Sequence, residues 1–499
     1  MKGAGLLRVV GVVVVGAAVV AGSGAVDGRL EVPGAPRAAI PPSAPPARPV
    51  TSRTLVCPGQ ETVGVPGLPA ESGAPPVDLT AVAPPDAVAA AQGRALPPGI
   101  LQVGPSDHPD AQRVTAPGNP VTALISGPRS GLVSASQRLA PALTAVQRSL
   151  ATTGERAALV SVPCDVPVTD AWLPAGAGQA GRQEHLVLTN PHETPVTVDV
   201  TMHGADGPIA SVAGRDVVVE PRGRTVVLLD ALDGTQASPT AQVHVRGGTV
   251  HAALHDGWLD GITPRGADDV GPSATGQELV LPGLVVAGPD DPAVVRVVAV
   301  GDHDAEVRMT VLGPGGPVGD PLPPVRLPTG ASRDIGLPSL PTGAYGVRVS
   351  ATSPVAAAGH LGRADGPRPR GAGSVAAPVH DFGWVPATPA LGDLAGIPLG
   401  QPGGTRFTHQ LAITNPGDGI VTTTATVVAA DGTTAPRRID VPGRGTASVD
   451  VSDASSVWVT AAKGLRAAVA TSADGGLVTV TPLVARPQTT TPYVVTPSP

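Results

Sequence analysis

A chain of 499 residues has room for three or four domains, and a formal net charge of −7 leaves no basic footprint for nucleic acid or anionic lipid. The 64 glycines and 59 prolines approach the level at which disorder is a fair reading, yet Val, Leu, Ile and Ala recur in alternating runs. Short strands joined by Gly/Pro turns are therefore expected, and a disordered polymer is not.

In chain order, Lys2 and Arg8 come first, followed by an apolar run from Val9 to Val20 and by small residues, Ser23-Gly24-Ala25, suited to a signal peptidase. Extended to Val26, the run also reaches the lower length limit for a membrane span. Residues 1–26 thus fit either a signal peptide or a membrane anchor. The positive charge precedes the run, so an extracytoplasmic location, anchored or secreted, is expected in both cases. No cysteine follows the run directly, which argues against a lipoprotein anchor. Residues 27–50 form a Pro-rich spacer, extended and semi-rigid.

Residues 51–169 form a β-rich unit holding both cysteines, Cys57 and Cys164. An even pair in an exported chain reads as a disulfide. Closing a loop of about a hundred residues would contribute up to about 4–5 kcal/mol in the chain-entropy model. The rivals are a redox pair, normally close in sequence, and a zinc site, which needs four ligands. Ser134 to Leu150 is the one stretch with helical spacing, interrupted by Pro141.

An internal repeat follows. Leu186–Gly207 recurs without a gap as Leu411–Gly432, sharing Leu186/Leu411, Thr189/Thr414, Asn190/Asn415, Pro191/Pro416, Val196/Val421, Thr197/Thr422, Thr201/Thr426, Asp206/Asp431 and Gly207/Gly432. Chance would give roughly two such identities, so duplication is the expected cause. Val196, Val198, Val200 and Met202 alternate with Thr197, Asp199, Thr201 and His203, the period of a half-buried strand. Asn-Pro ends the preceding strand, and Asp206-Gly207 marks a turn needing positive φ. A worn middle copy, Val307 to Val318, aligns with Val198 to Ile209 but lacks the Asn-Pro, which makes the stretch a folding unit and not a recognition motif.

The copies lie about 110 residues apart, with six or seven short strands each, which fits tandem immunoglobulin-like β-sandwiches in an all-β chain. The expected repeats are residues 170–278, 279–380 and 381–485, the last headed by Trp384-Val385-Pro386 as the first is by Trp172-Leu173-Pro174. Residues 486–499 read as an exposed Thr/Pro-rich tail.

The N-terminal apolar segment, LVCPG at Leu55–Gly59, Cys164 ahead of DAWLPAGAG at Asp170–Gly178, and LVLTNP at Leu186–Pro191 together resemble an uncharacterised actinobacterial family of exported proteins. The resemblance covers most of the chain after the spacer. It implies export and a Cys57–Cys164 bond, and it brings no catalytic residues.

No HExxH, phosphate loop, GxSxG elbow or EF-hand loop is present. His244, His251 and His255 with Asp256 are the best metal candidates. On a strand, however, His251 and His255 stand about 13 Å apart, and solvated strand histidines are the expectation. Asp302-His303-Asp304 reads as a polar hairpin turn rather than a cation site, and Asp268-Asp269 and Asp290-Asp291 read as turn acids. Trp172, Trp258, Trp384 and Trp458 are expected in core or rim packing rather than as a carbohydrate-stacking row. No catalytic, cofactor or metal residue is assigned.

The sequence therefore points to a non-enzymatic structural or interaction protein of the cell envelope, with an unidentified envelope protein or polysaccharide as partner. Membrane contact would come through the N-terminal segment if it is not cleaved. A carbohydrate- or cell-wall-binding module, and a hydrolase whose site is assembled across repeats, are the rivals.

Overall fold

Alternation of apolar and polar side chains drives the chain into antiparallel sheets that pair as four β-sandwiches. The computed structural model describes residues 47–62, 64, 76–89, 96–106, 111–365, 379–400, 405–460 and 464–490. The apolar N-terminal segment, nearly all of the Pro-rich spacer and residues 491–499 lie outside these. Among the described residues no helix is long and apolar enough to cross a membrane.

The first sandwich joins a sheet running from Ser52–Cys57 to one ending at Ala158–Pro163, with the Cys57–Cys164 disulfide in its core. Residues 51–169, read from sequence only as a β-rich unit, are thus a fourth sandwich. The helical spacing of Ser134–Leu150 does not form a helix. Its residues belong to strands Gly131–Ser136 and Thr144–Ala151, separated by a one-turn 3-10 helix at Gln137–Leu139. Gln137 and Ala142 take left-handed backbone conformations on either side of Pro141, which forbids a continuous α-helix.

The repeat behaves as a folding unit. Asn190 Nδ2 donates to the Thr194 carbonyl at 2.8 Å while its Oδ1 accepts from His192 N–H at 3.0 Å. Asn415 makes the same bonds four and two residues on, to the Gly419 carbonyl at 2.7 Å and from Gly417 N–H at 2.9 Å. Both side chains are buried, so the polar tip is a turn staple. In the middle copy the hairpin persists: Gly313 opposes Gly316 as Gly204 opposes Gly207, and both turn glycines have φ near 120°.

The third sandwich is one folded sheet. Its strand Gly343–Ala364 pairs through its first half with Thr275–Val286 and Ala305–Gly313, and through its second half with Ala293–Ala299 and Val379–Pro386. Val379–Pro386, with Trp384, therefore closes the third sandwich, whereas the sequence placed it at the head of the last repeat. The last sandwich begins instead at Leu394–Pro398. Tyr345 hydroxyl donates to the Pro341 carbonyl at 2.8 Å, the tyrosine-corner device of immunoglobulin-like sandwiches.

Four edge strands, one per sandwich, meet at the centre: Ala158–Pro163, Thr263–Val270, Val379–Pro386 and Leu477–Pro482. Each lies against the next, and the fourth returns to the first, so the sandwiches form a closed ring. An edge strand carries unpaired N–H groups, and burying them unbonded would cost about 1–3 kcal/mol apiece. Two buried aspartates accept them. Asp381 receives the N–H of Leu159 at 3.1 Å, of Val478 at 2.9 Å and of Ala267 at 3.2 Å, one from each other sandwich. Asp268 receives the N–H of Ser161 at 3.3 Å and of Trp384 at 2.8 Å, and the Thr479 hydroxyl at 2.8 Å. Gly266, at φ +103°, makes this approach possible, because a Cβ there would lie 2.3 Å from Asp381 Oδ1.

The apolar cores run across the ring. Phe382 and Trp384 of the third sandwich sit in the core of the second, and Val480 of the fourth sits in that of the third. Trp458 packs with Val82 and Val88 of the first. The expected exposed tail instead begins by docking: Arg486 is buried, donating to the Cys164 carbonyl at 2.6 Å and pairing with Asp165.

Candidate functional site

The junction of the first two sandwiches holds a cavity of about 260 Å³ beside a buried cluster of acid and imidazole. Its first component follows the disulfide. After Cys57 the backbone turns at Gly59, φ +81°, where a Cβ would meet the Arg129 carbonyl oxygen at 1.8 Å. Gln147 clamps this turn from both sides, accepting from Gly59 N–H at 2.7 Å and donating to the Gly59 carbonyl at 2.8 Å. Its Nε2 also reaches the Glu61 carboxylate. Arg224 of the second sandwich donates to the Pro58 carbonyl at 2.8 Å. These bonds deliver Glu61 into the second sandwich.

There His255 and Asp269 stand directly opposite each other on adjacent antiparallel strands, with His255 Nδ1 2.8 Å from Asp269 Oδ1. One potential ligand atom from each of Glu61, His255 and Asp269 lies within 4.8 Å of the others. All three residues are buried, while Glu61 and His255 also line the cavity with Trp258, Gln183 and Arg156. Asp269 Oδ2 is buried and receives no hydrogen bond from an N–H or hydroxyl group; the Asp269 carboxyl instead meets that of Glu61.

The electrostatics follow from this crowding. Burial, and then the Asp269 charge, holds the Glu61 carboxyl well above the usual carboxylate range. Burial likewise raises Asp269 to about 7, against the pull of its bond with Glu61 and of the Arg224 charge. Burial lowers His255, although the charges of Glu61 and Asp256 oppose it. His185, whose ring centroid lies 5.9 Å from that of His255, is pushed down to about 4 by burial and then by the His255 charge. Two carboxyl groups this close need a proton or a cation between them.

The structure redistributes the residues singled out from sequence. His251 and His255 share a strand but are buried, not solvated; His251 Nδ1 has no hydrogen-bond partner, and burial lowers its imidazole to about 4. The strand lies between two others, which removes it from water. His244 is exposed and paired with Asp170 at 2.6 Å. Asp256 is buried, bound to Arg182 at 2.8 Å and accepting from Trp384 Nε1 at 2.8 Å. Asp268 and Asp269 are not turn acids: both lie in strand Thr263–Val270, where the pleat aims one at the ring axis and the other at His255. Asp291 is buried and pairs with Arg363 at 2.9 Å. Asp302, His303 and Asp304 form an exposed turn, with Asp304 on Arg326 at 2.9 Å. Trp384 and Trp458 are core residues, whereas Trp172 and Trp258 are half-buried. Glu61, Asp381 and Arg296 went unnoticed in the sequence. For Asp381 and Arg296 the one local signal was a charge set inside an otherwise apolar strand, as in VHDFGWVP at Val379–Pro386; Glu61, in a turn, had none.

Comparison with known proteins adds a family and no activity. Residues 121–452 match the model of a family described as "Family of unknown function (DUF5719)". No curated protein sequence matches the chain. Among solved structures, a glycoside hydrolase family 32 protein from Bifidobacterium adolescentis aligns at 11% identity and TM-score 0.13, over 88% of this chain and 96% of that one. A Streptomyces avermitilis alpha-L-rhamnosidase complexed with L-rhamnose aligns at 11% identity and TM-score 0.12, over 87% of this chain and 57% of that one. A tetra-tandem repeat from the extending region of a large adhesion protein aligns at 12% identity and TM-score 0.10, over 78% and 92%. Scores this low carry no inference about fold or function.

Proposed function

The chain belongs to this family of unknown function, which lends it no activity, and we propose that it is an extracytoplasmic, non-enzymatic structural or interaction protein of the cell envelope. The observation that carries this proposal is where the buried charge is used. Asp268 and Asp381 bind the edge strands of the other sandwiches. Arg296 of the third sandwich forms a bidentate pair with Asp334 at 2.7 and 2.9 Å and donates to the Gly176 and Pro239 carbonyls of the second. Such groups hold a body rigid, as a platform for contacts requires. The Cys57–Cys164 disulfide supports an oxidising compartment. Edge pairing is spent inside the ring, so partners would meet sandwich faces and loops rather than the four axial edges.

A carbohydrate-binding role is the second proposal, favoured by one feature: half-buried Trp258 lines the cavity with Gln183, Glu155 and Arg156, an aromatic side chain beside polar groups. Cell fractionation with surface protease treatment tests the location. An envelope-associated, protease-accessible protein is expected, and a wholly cytoplasmic one would overturn the proposal. Pull-down on purified envelope polysaccharide, repeated with Trp258→Ala, separates the two roles. Retention abolished by the substitution favours carbohydrate, and equal retention removes Trp258 from the case. Turnover in an esterase or glycosidase screen would contradict both.

A further inference from the structure

We propose that Glu61, His255 and Asp269 bind a divalent transition-metal ion at the junction of the first two sandwiches, with the cavity on its open side. Three features carry this beyond a chance cluster of acids. First, the donors come from different parts of the fold and still converge: Glu61 from the turn after the disulfide, His255 and Asp269 from two paired strands, with ligand atoms within 4.8 Å of one another. Second, Asp269 Oδ2 is buried and receives no N–H or hydroxyl hydrogen bond, and the group its carboxyl meets is another carboxyl, that of Glu61, so only a shared proton or a cation can satisfy the pair. Third, neighbouring side chains fix Glu61 in place: Gln147 Nε2 holds its carboxylate, and His185 Nδ1 lies 3.2 Å from its carbonyl.

The donor set selects the class of ion. One imidazole nitrogen and two carboxylates make a mixed N/O site, suited to zinc and its neighbours in the first transition row. Calcium would need six or more oxygens. Three protein ligands leave a coordination position, and Glu61 and His255 line a cavity of about 260 Å³ from which water or a ligand atom can fill it. The ion would also pin the Pro58–Glu61 segment of the first sandwich onto the second, and so add to the ring's closure.

The test uses full-length, disulfide-intact protein stripped with a chelator, titrated with zinc chloride by calorimetry and checked by elemental analysis. One zinc per chain is expected, together with a raised melting temperature. Glu61→Gln and His255→Gln should each weaken binding at least tenfold, since each removes one of three ligands. Asp170→Asn, at the exposed His244–Asp170 pair, should leave binding unchanged. Circular dichroism verifies that each variant is folded. If Glu61→Gln fails to fold, cobalt(II) bound to the unaltered protein reports the site instead, because its visible absorption distinguishes a nitrogen-containing, four- or five-coordinate site from an all-oxygen octahedral one. The proposal is overturned if the unaltered protein takes up no zinc, so that a shared proton settles the carboxyl pair. It is also overturned by unchanged affinity in both ligand variants, or by an octahedral all-oxygen cobalt spectrum.

Discussion

Asp268 and Asp381 serve each other's strands: Asp268 accepts the Trp384 N–H at 2.8 Å, three residues beyond Asp381, and Asp381 accepts the Ala267 N–H at 3.2 Å, next to Asp268. Each also takes hydrogen bonds from the first and fourth sandwiches. Four buried sheet edges are thereby satisfied by two carboxylates, and the four sandwiches become one body from Arg48 to Thr490.

Removing either carboxylate strands several buried donors at once. Asp381→Ala is expected to lower unfolding stability by about 3–5 kcal/mol, and Asp381→Asn by less because one oxygen still accepts. Urea denaturation followed by tryptophan fluorescence measures both. A loss under about 1 kcal/mol for the alanine variant would show that the axis does not hold the ring.

The same residue sets a pH dependence. Burial pushes the Asp381 carboxyl up to about 8, against the backbone N–H groups that pull it down. The native state therefore holds a proton that the unfolded chain has released, from about pH 4 upward. This contribution is fully present below the unfolded value and is lost as pH rises through about 8. Buried His251 and His409, lowered to about 4 and about 3, act oppositely: their contribution is present above about 6.5 and is lost as pH falls through those values. Between pH 6.5 and 8 the aspartate acts without these histidines. Asp381 alone should lower stability there by up to about 1.4 kcal/mol per pH unit, and Asp381→Asn should remove that share of the slope, while Glu61, Asp268 and Glu184, also raised by burial, keep theirs. Melting curves across this range, with and without the substitution, provide the measurement.

Cys57 and Cys164 are 107 residues apart in sequence, and their bond closes the first sandwich. Replacing both with serine should cost up to about 4–5 kcal/mol by the chain-entropy model. Guanidinium denaturation of the double variant, compared with the oxidised protein, measures the difference; equal midpoints would contradict a stabilising role.

Arg296 is fully buried, and its planar fork meets Asp334 and two carbonyls of the neighbouring sandwich at once. Lysine keeps the charge but cannot reproduce four directed bonds. Arg296→Lys should therefore destabilise by about 1.5–3 kcal/mol, the worth of charged hydrogen bonds lost while the charge itself stays. A melting temperature within a degree or two of the parent would count against this.

Much of the sandwich architecture was legible because alternation and turn chemistry are local. Asn190-Pro191 and Asn415-Pro416 mark the same stapled turn in both copies, and Gly207 and Gly316 mark the same hairpin. The first sandwich was harder to read because Ser134–Leu150 mimics helical spacing until its left-handed residues are seen. The axis and the cluster were not legible, since their meaning lies in contacts between sandwiches. Asp268 and Asp269 look like turn acids until their strand proves to be an edge facing three others. Glu61 carries no sequence mark that ties it to His255, almost 200 residues on.

Closure of the ring is the central claim, and small-angle X-ray scattering of the Arg48–Thr490 segment tests it most directly. A compact body of roughly 440 residues should give a radius of gyration of about 22 Å. Sandwiches strung end to end along a stalk, the arrangement that tandem repeats first suggest, would give roughly twice that value. A radius near the smaller figure is the expected result; one near the larger would contradict the ring.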